Sequence, residues 1–313
     1  QVARQLEREV VASSIFGTNS IEGGTLTEEE TQMVLELDPT QVQEEEQLRA
    51  VNLKAAYDVA QQAAPTPGWQ LDIPFIQEVH AAITQRLTHA YNQPGVFRDN
   101  PKAIKTHVGS PAHGGRYQPP QHGHDIETLM QALVSWHQGL EERQIPALIR
   151  APLVHYYYEL IHPFWDGNGR VGRVLEAALL QAGGFQYAPF ALARYYLENI
   201  DEYFTLFNRC RRDAEKNVAH PCTPFIQFHL EGMRVSINRL HDRVNQIVKV
   251  LLFQTQIHQM NNKKQLNARQ YTIVSQLLAA GGPLPLAEIR RAPWYRTLYL
   301  KLTDKTRQRD LRR

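Results

Sequence analysis

Cysteine is scarce in this chain: only Cys210 and Cys222 occur in 313 residues, with neither repeated pairs nor neighbouring histidine ligands. That spacing excludes a disulfide framework or a zinc cage, and a reducing, cytoplasmic setting is the expectation. Excess charge is missing too. Lys and Arg number 34 against 32 acids, a formal net charge of +2, so no global attraction to a polyanion exists and any charge argument must be local. Long apolar runs are absent: nothing approaches the ~20 residues that span a bilayer, and QVARQLEREVV lacks the apolar core of a signal peptide. No membrane partner is expected. Internal repeats and low-complexity tracts do not occur either.

What is present is an ordinary globular balance, 42% hydrophobic and 21% charged, long enough for two domains or for one large domain with an appendage. Apolar residues recur at helical spacing between Gly and Pro breaks, which predicts a mainly α-helical protein. Residues 2 to about 22 read as a separate helix closed by Gly23-Gly24. Thr27-Glu28-Glu29-Glu30 has capping-box form and opens the next helix. From Arg98 to Gln121 the stretch RDNPKAIKTHVGSPAHGGRYQPPQ is too broken for a helix; a β-hairpin or ordered loop is predicted, with Ala103 to Val108 as one strand. A surface loop without a role is the competing reading. After residue 262 a helix from Arg269 to Ala280 and the break Gly281-Gly282-Pro283 precede a basic tail. From Ala287 onward it holds nine basic residues (Arg290, Arg291, Arg296, Lys301, Lys305, Arg307, Arg309, Arg312, Arg313) against Glu288, Asp304 and Asp310.

The chemistry concentrates in His162-Pro-Phe-Trp-Asp166-Gly-Asn-Gly-Arg170-Val-Gly-Arg173, a polar turn between two helical patterns. Pro163 disfavours helix at His162, and Gly167 and Gly169 permit geometry and close approach that side chains block. Consecutive N–H groups at the start of the second helix then suit anionic oxygens. Arg170 and Arg173, three apart, can grip different phosphate oxygens. Asp166 suits a Mg²⁺ bridging phosphates, Asn168 can donate to a reacting phosphate, and His162 is of the side-chain type best suited to take a proton from an attacking hydroxyl as general base. Phe164 is expected to anchor the turn in the core. The plain alternative is a Gly-rich helix-loop-helix with a capping Asp and solvent-facing arginines.

From His162 to Arg173 the sequence resembles the Fic family, whose signature HPFx(D/E)GNGRxxR it matches at every specified position. The resemblance implies a helical core with a β-hairpin flap, and transfer of AMP from ATP to a Tyr, Thr or Ser hydroxyl of a target protein, self-modification included. By it His162 is the base, Asp166 the metal ligand, Asn168 and the Gly167 and Gly169 backbones phosphate holders, and Arg170 and Arg173 grips for the β- and γ-phosphates. The related Doc-type kinases depart from the Gly169-Arg170 unit with a Lys, so nucleotidyl rather than phosphoryl transfer is implied. The stretch after Gly95-Val96-Phe97-Arg98 resembles the family's flap, with Thr106, His107, Val108 and Gly109 nearest the nucleotide. Tyr203-Phe204 fall where the family often carries two aromatics near the base; core packing explains them equally well.

Thr18-Asn-Ser-Ile-Glu22-Gly23 resembles the family's inhibitory pattern (S/T)xxxE(G/N). The resemblance implies that Glu22 pairs with Arg173 and denies that guanidinium to the γ-phosphate; in some members the same glutamate is linked to removal of AMP. Leu286 to Arg313 resembles the recognition-helix end of the winged-helix domains often fused to such cores, with Thr303 as a helix cap. A contact with DNA or with protein through 286–313 stays open, as does pairing of two copies as a homodimer. The expected layout is an inhibitory helix over 1–24, a catalytic core over 25–262 with its flap at about 98–121 and its turn at 162–173, and a winged-helix-like basic module over 263–313. The competing function is a DNA-binding regulator in which the core is a sensor or idle; that every catalytic position is filled argues for the enzyme.

Overall fold

Helix ends fall where local chemistry stops them. The computed structural model describes residues 2–280 and 282–312. Helix α1 (Val2–Ile21) closes in a turn where Gly23 takes a φ of 84°, a conformation that favours glycine. The N–H groups of Glu22 and Gly24 reach back to the Asn19 carbonyl and that of Gly23 to Ser20. Glu22 therefore stands on the turn, one residue past the helix. Thr27 accepts from the Glu30 N–H while the Glu30 carboxylate accepts from that of Thr27, opening α2 (Glu28–Leu35). Then come α3 (Glu45–Ala63) and α4 (Ile73–Thr84), which starts on Asp72, whose carboxylate accepts from the Phe75 N–H.

The stretch 98–121 does form a hairpin, but its strands are not where the sequence placed them. Strand β1 spans Val108–Ser110 rather than Ala103 to Val108, and pairs antiparallel with β2 (Gly115–Tyr117), Val108 facing Tyr117 and Ser110 facing Gly115. The reason lies in side chains. Asn100 donates to Thr106 Oγ1 (2.8 Å) and to the Ile104 carbonyl (3.3 Å), and Gln121 Oε1 accepts from the Thr106 N–H (2.8 Å). These bonds hold 100–106 as a knotted loop without a backbone ladder. A tight turn over Pro111–His113 and left-handed Gly114 (φ 91°) reverse the chain.

Helices α5 (Gly123–Glu142), α6 (Ala147–Ile161), α7 (Asn168–Ala182), α8 (Ala188–Glu198) and α9 (Ile200–Glu215) follow, then the 40-residue α10 (Thr223–Asn262). Helix α7 is the axis of the core, packed against α3, α4, α6 and α8. Val171, Val174, Leu175, Ala178 and Leu180 are fully buried on it, each large one stabilising the fold by about 1.5–3 kcal/mol. Enclosure on every side also traps its polar residues: Asn168, Arg170, Arg173 and Glu176 are each at most 4% exposed.

The chain divides into two compact units, 3–240 and 241 onward, α10 running through the division. In the second, α11 (Ala268–Ala279) is capped by Asn267, and α12 (Leu286–Arg291), α13 (Pro293–Leu298) and α14 (Asp304–Arg312) follow. Ile273, Ile289, Tyr295 and Tyr299 form its small core, and buried Asp310 ties Asn267, Arg269 and Tyr299 together. Thr303 precedes α14. The described residues of this unit include no strand. Gly281, Arg313 and the Arg312 side chain, singled out in the sequence, lie outside the described residues. Among the described residues no helix is long and apolar enough to cross a membrane.

Candidate active site

Pro163 ends α6, and His162 takes a left-handed conformation (φ 51°, ψ 62°) with its N–H still bonded to the Tyr158 carbonyl (2.9 Å). Arg98, 1% exposed, clamps the turn that follows. Its backbone N–H donates to the Pro163 carbonyl (2.9 Å), Nε to that of His162 (2.8 Å), and the two Nη atoms to Asn100 Oδ1 (2.7 Å) and the Pro120 carbonyl (2.5 Å). Burial pulls its pKa down to about 10, leaving it charged at neutral pH. The turn and the base of the flap thus share one guanidinium.

Phe164 is fully buried and stacks on His80 at 3.6 Å between ring centroids. His80 Nδ1 accepts from the Gly95 N–H (2.9 Å), which places its proton on Nε2 to donate to the Asp166 carbonyl (3.2 Å); burial, lowering its pKa to about 4, keeps the ring neutral. Asn168 Oδ1 accepts from the Phe164 N–H (3.0 Å) and its Nδ2 donates to the Phe164 carbonyl (2.8 Å). That amide closes the turn instead of projecting from it.

Gly167 adopts φ 79° at the mouth of α7, and the first helical bond runs from the Val171 N–H to its carbonyl. The N–H groups of Asn168, Gly169 and Arg170 precede that bond, where a helix offers donors and a positive dipole end to anions. Arg170 Nη2 donates to Asp166 Oδ2 (3.0 Å), while its buried Nε and Nη1 have no partner. Burial pushes the Asp166 carboxyl up, but the Arg170 charge and the Gly167 N–H more than offset it, so the group sits below its ordinary pKa and is ionised. Among the described residues no cluster of three or more His, Cys, Asp or Glu exists to cage a metal. A partly exposed, ionised single carboxylate fits a hard cation whose other ligands are phosphates and water.

Arg173 is held by residues distant in sequence. Nη2 donates to Glu22 Oε1 (2.5 Å) and the Thr18 carbonyl (3.3 Å), and Nη1 to Tyr203 Oη (3.2 Å). Burial works against its charge, yet the Glu22 carboxylate holds its pKa above the ordinary arginine value. Glu22 lies directly on Gly169, where any Cβ would overlap Oε1. A cavity of about 390 Å³ opens here. His162, Arg173, Gly169 and Glu22 line one side, Val108 and Gly109 come from the flap, and Tyr203 and Phe204 from α9. Thr106 and His107 do not border it, since Thr106 is spent on Asn100 and Gln121 and His107 is exposed. Asp166, Gly167, Asn168 and Arg170 line the adjoining turn.

A family model described as "Fic/DOC family" matches residues 70–180, which holds the turn, its Arg98 clamp and the flap. Residues 70–180 form a Fic/DOC domain. The chain is 28% identical over 209 residues to "Protein adenylyltransferase Fic" of Drosophila ananassae, an overlap of 66% of this chain and 38% of that protein; it spans well under half the length of this relative. Two solved structures share the fold. A Fic domain containing signaling protein from Bacteroides thetaiotaomicron VPI-5482 superposes with a TM-score of 0.63 at 19% identity, over 78% of this chain and 90% of that one. A Fic family protein from Desulfovibrio desulfuricans G20 gives a TM-score of 0.60 at 21% identity, over 98% of this chain and 78% of that one.

Several side chains of the Fic domain and its flanking helices escaped the sequence reading. Behind Arg173, Tyr203 Oη meets His155 Nε2 (3.1 Å), and His155 Nδ1 meets Glu176 Oε2 (3.1 Å). Glu176 also accepts from Tyr196 Oη (3.0 Å) and pairs with His229 Nδ1 (2.9 Å). Burial alone would raise the Glu176 pKa, but His155 and His229 pull it well below the carboxylate range. Its signal was a lone acid inside the apolar run Val174–Leu180. Arg98 and His80 carried none, because most of their partners are backbone groups well removed in sequence.

Proposed function

We propose that the chain is a protein adenylyltransferase, moving AMP from ATP to a Tyr, Thr or Ser hydroxyl and restrained by Glu22. The observation that carries this reading is one cavity lined by His162 and Arg173 at the N-terminal end of α7, with Glu22 on the guanidinium. The Drosophila relative, a protein adenylyltransferase by name, agrees with it. In this reading the N–H groups that open α7, with the free Nε and Nη1 of Arg170, hold phosphate oxygens, and Arg173 takes the terminal phosphate once Glu22 leaves. Asp166 would hold Mg²⁺, which supplies charge neutralisation for the pyrophosphate leaving group. The hydroxyl oxygen attacks the α-phosphorus, its proton passes to His162, and the bond to pyrophosphate breaks.

Purified chain is incubated with Mg²⁺ and ATP labelled at the α-phosphate, with self-modification as the readout. Label is expected on protein, and His162→Ala is expected to lower its rate by about 10²–10⁴-fold. Label arriving from the γ-position and never from the α-position would overturn the reading in favour of phosphoryl transfer.

A further inference from the structure

A general base needs one ring nitrogen free for the substrate and the other held. His162 Nδ1 is buried without a hydrogen-bond partner, and so is Glu159 Oε1. The other oxygen of that carboxylate, Glu159 Oε2, stands 3.7 Å from His162 Nδ1. This is ion-pair distance, one small side-chain adjustment from a hydrogen bond.

Three features seat Glu159 there. It lies one helical turn before His162, and the left-handed backbone at His162 breaks the helix between them. Its backbone carbonyl accepts from Tyr117 Oη (2.8 Å) of the flap. Its carboxylate occupies room left by a missing side chain on α7: a Cβ at Gly172 would stand 2.6 Å from Oε1 and 2.9 Å from His155 Cδ2. The side chain is only 12% exposed. Of the groups around it, the Tyr117 hydroxyl of the flap donates to the Glu159 backbone carbonyl and the Tyr203 hydroxyl of α9 is engaged with Arg173 and His155, so neither serves the carboxylate. Arg173, which lines the same cavity, is committed to Glu22. His162 Nδ1 is the ring nitrogen placed to satisfy the carboxylate.

We propose that Glu159 is a positioning residue for His162: its carboxylate accepts the Nδ1–H, so that the lone pair of Nε2 is the one presented to the cavity. This rests on His162 being the base of the proposed transfer. When the substrate hydroxyl attacks, the new O–P bond forms, the bond to pyrophosphate breaks, and the proton goes to Nε2. Glu159 remains ionised and steadies the imidazolium, as a carboxylate behind a catalytic histidine does.

The test uses the full chain labelled with ¹⁵N-histidine. Long-range ¹H–¹⁵N correlation spectra report the His162 tautomer, the signal being assigned by its loss in His162→Ala. Wild type and Glu159→Asp are expected to carry the proton on Nδ1. Glu159→Gln, whose amide can donate to Nδ1, is expected to move it to Nε2. In the same variant kcat for label transfer is expected to fall about tenfold or more while KM for ATP stays within about twofold. A proton on Nε2 in wild type, or one tautomer shared by wild type and Glu159→Gln, overturns the proposal, as does a lower kcat with the tautomer unmoved. If no label is ever transferred, the adenylyltransferase reading fails, and the tautomer still decides the role of Glu159.

Discussion

Arg170 and Arg173 sit one turn apart on the same buried helix, yet they are held in opposite ways. Arg170 bonds to Asp166, four residues back, inside a turn that Asn168, His80 and Arg98 have already made rigid. Arg173 is held from outside, by Thr18 and Glu22 at the far end of the chain and by Tyr203 on α9. The local pair is part of the scaffold, since little can change it without breaking the turn. The long-range pair joins a guanidinium at 2% exposure to a carboxylate at 34%, on a turn that follows its helix. Opening it breaks no bond that closes the turn. The difference teaches where restraint can be built: on the arginine whose partner is not needed for the turn to fold.

The largest effect that sharpens this contrast comes from Glu22→Gly. Freeing Arg173 of one charge-assisted bond is expected to raise label transfer by about 10- to 100-fold, the factor that a bond of about 1.5–3 kcal/mol represents. It should also lower stability by about 1 kcal/mol, a figure reduced because Glu22 is partly open to solvent. ATP should restore that loss, since the nucleotide binds the folded state. Initial-rate labelling and thermal unfolding with and without a non-hydrolysable ATP analogue check both. Equal rates in the two forms would remove the restraint.

Next in size is a coupling. A Cβ at position 169 overlaps Glu22 Oε1, the far end of a flexible side chain, so Gly169→Ala must displace Glu22 and forfeit the same ion pair. In a stability cycle the two changes, Gly169→Ala and Glu22→Gly, are expected to be non-additive by about 1 kcal/mol. Additive losses, measured by urea unfolding of the four proteins, would show that Glu22 does not depend on the glycine.

The same contrast explains what the sequence could reveal. Much that is local was readable: the Thr27 capping box, the Pro163 break, Gly167 at the mouth of α7, and the spacing of the two arginines. Glu22 was readable only through its family resemblance, since no rule of spacing pairs residue 22 with residue 173. The flap strand was displaced from 103–108 to 108–110 because Asn100 and Gln121, 21 residues apart, decide which backbone groups remain for a ladder. Thr106 left the cavity for the same reason. Arg98, His80 and Glu159 work through backbone carbonyls, a stacked ring and a missing side chain at Gly172, and such partners leave no pattern along the chain. Sequence periodicity located the helices; long-range polar contacts placed the site upon them.

The smallest expected effect tests how far the support of Arg173 extends inward. Glu176 is buried between His155 and His229, and His155 reaches Arg173 through the Tyr203 hydroxyl. Because those histidines hold the folded-state pKa of Glu176 well below its ordinary value, its contribution to stability is fully present above the unfolded pKa of about 4.3. It is lost as pH falls through the lower folded value, because the unfolded chain takes up the proton first. Glu176→Gln removes this titration, so its stability should fall less steeply below about pH 4.3 than that of the wild type, although it starts lower at neutral pH with both histidines deprived of a carboxylate. Urea unfolding from neutral to acid pH reads the two slopes. Parallel slopes would mean that Glu176 carries no linked charge, and that the support behind Arg173 does not extend inward to it as an ion pair.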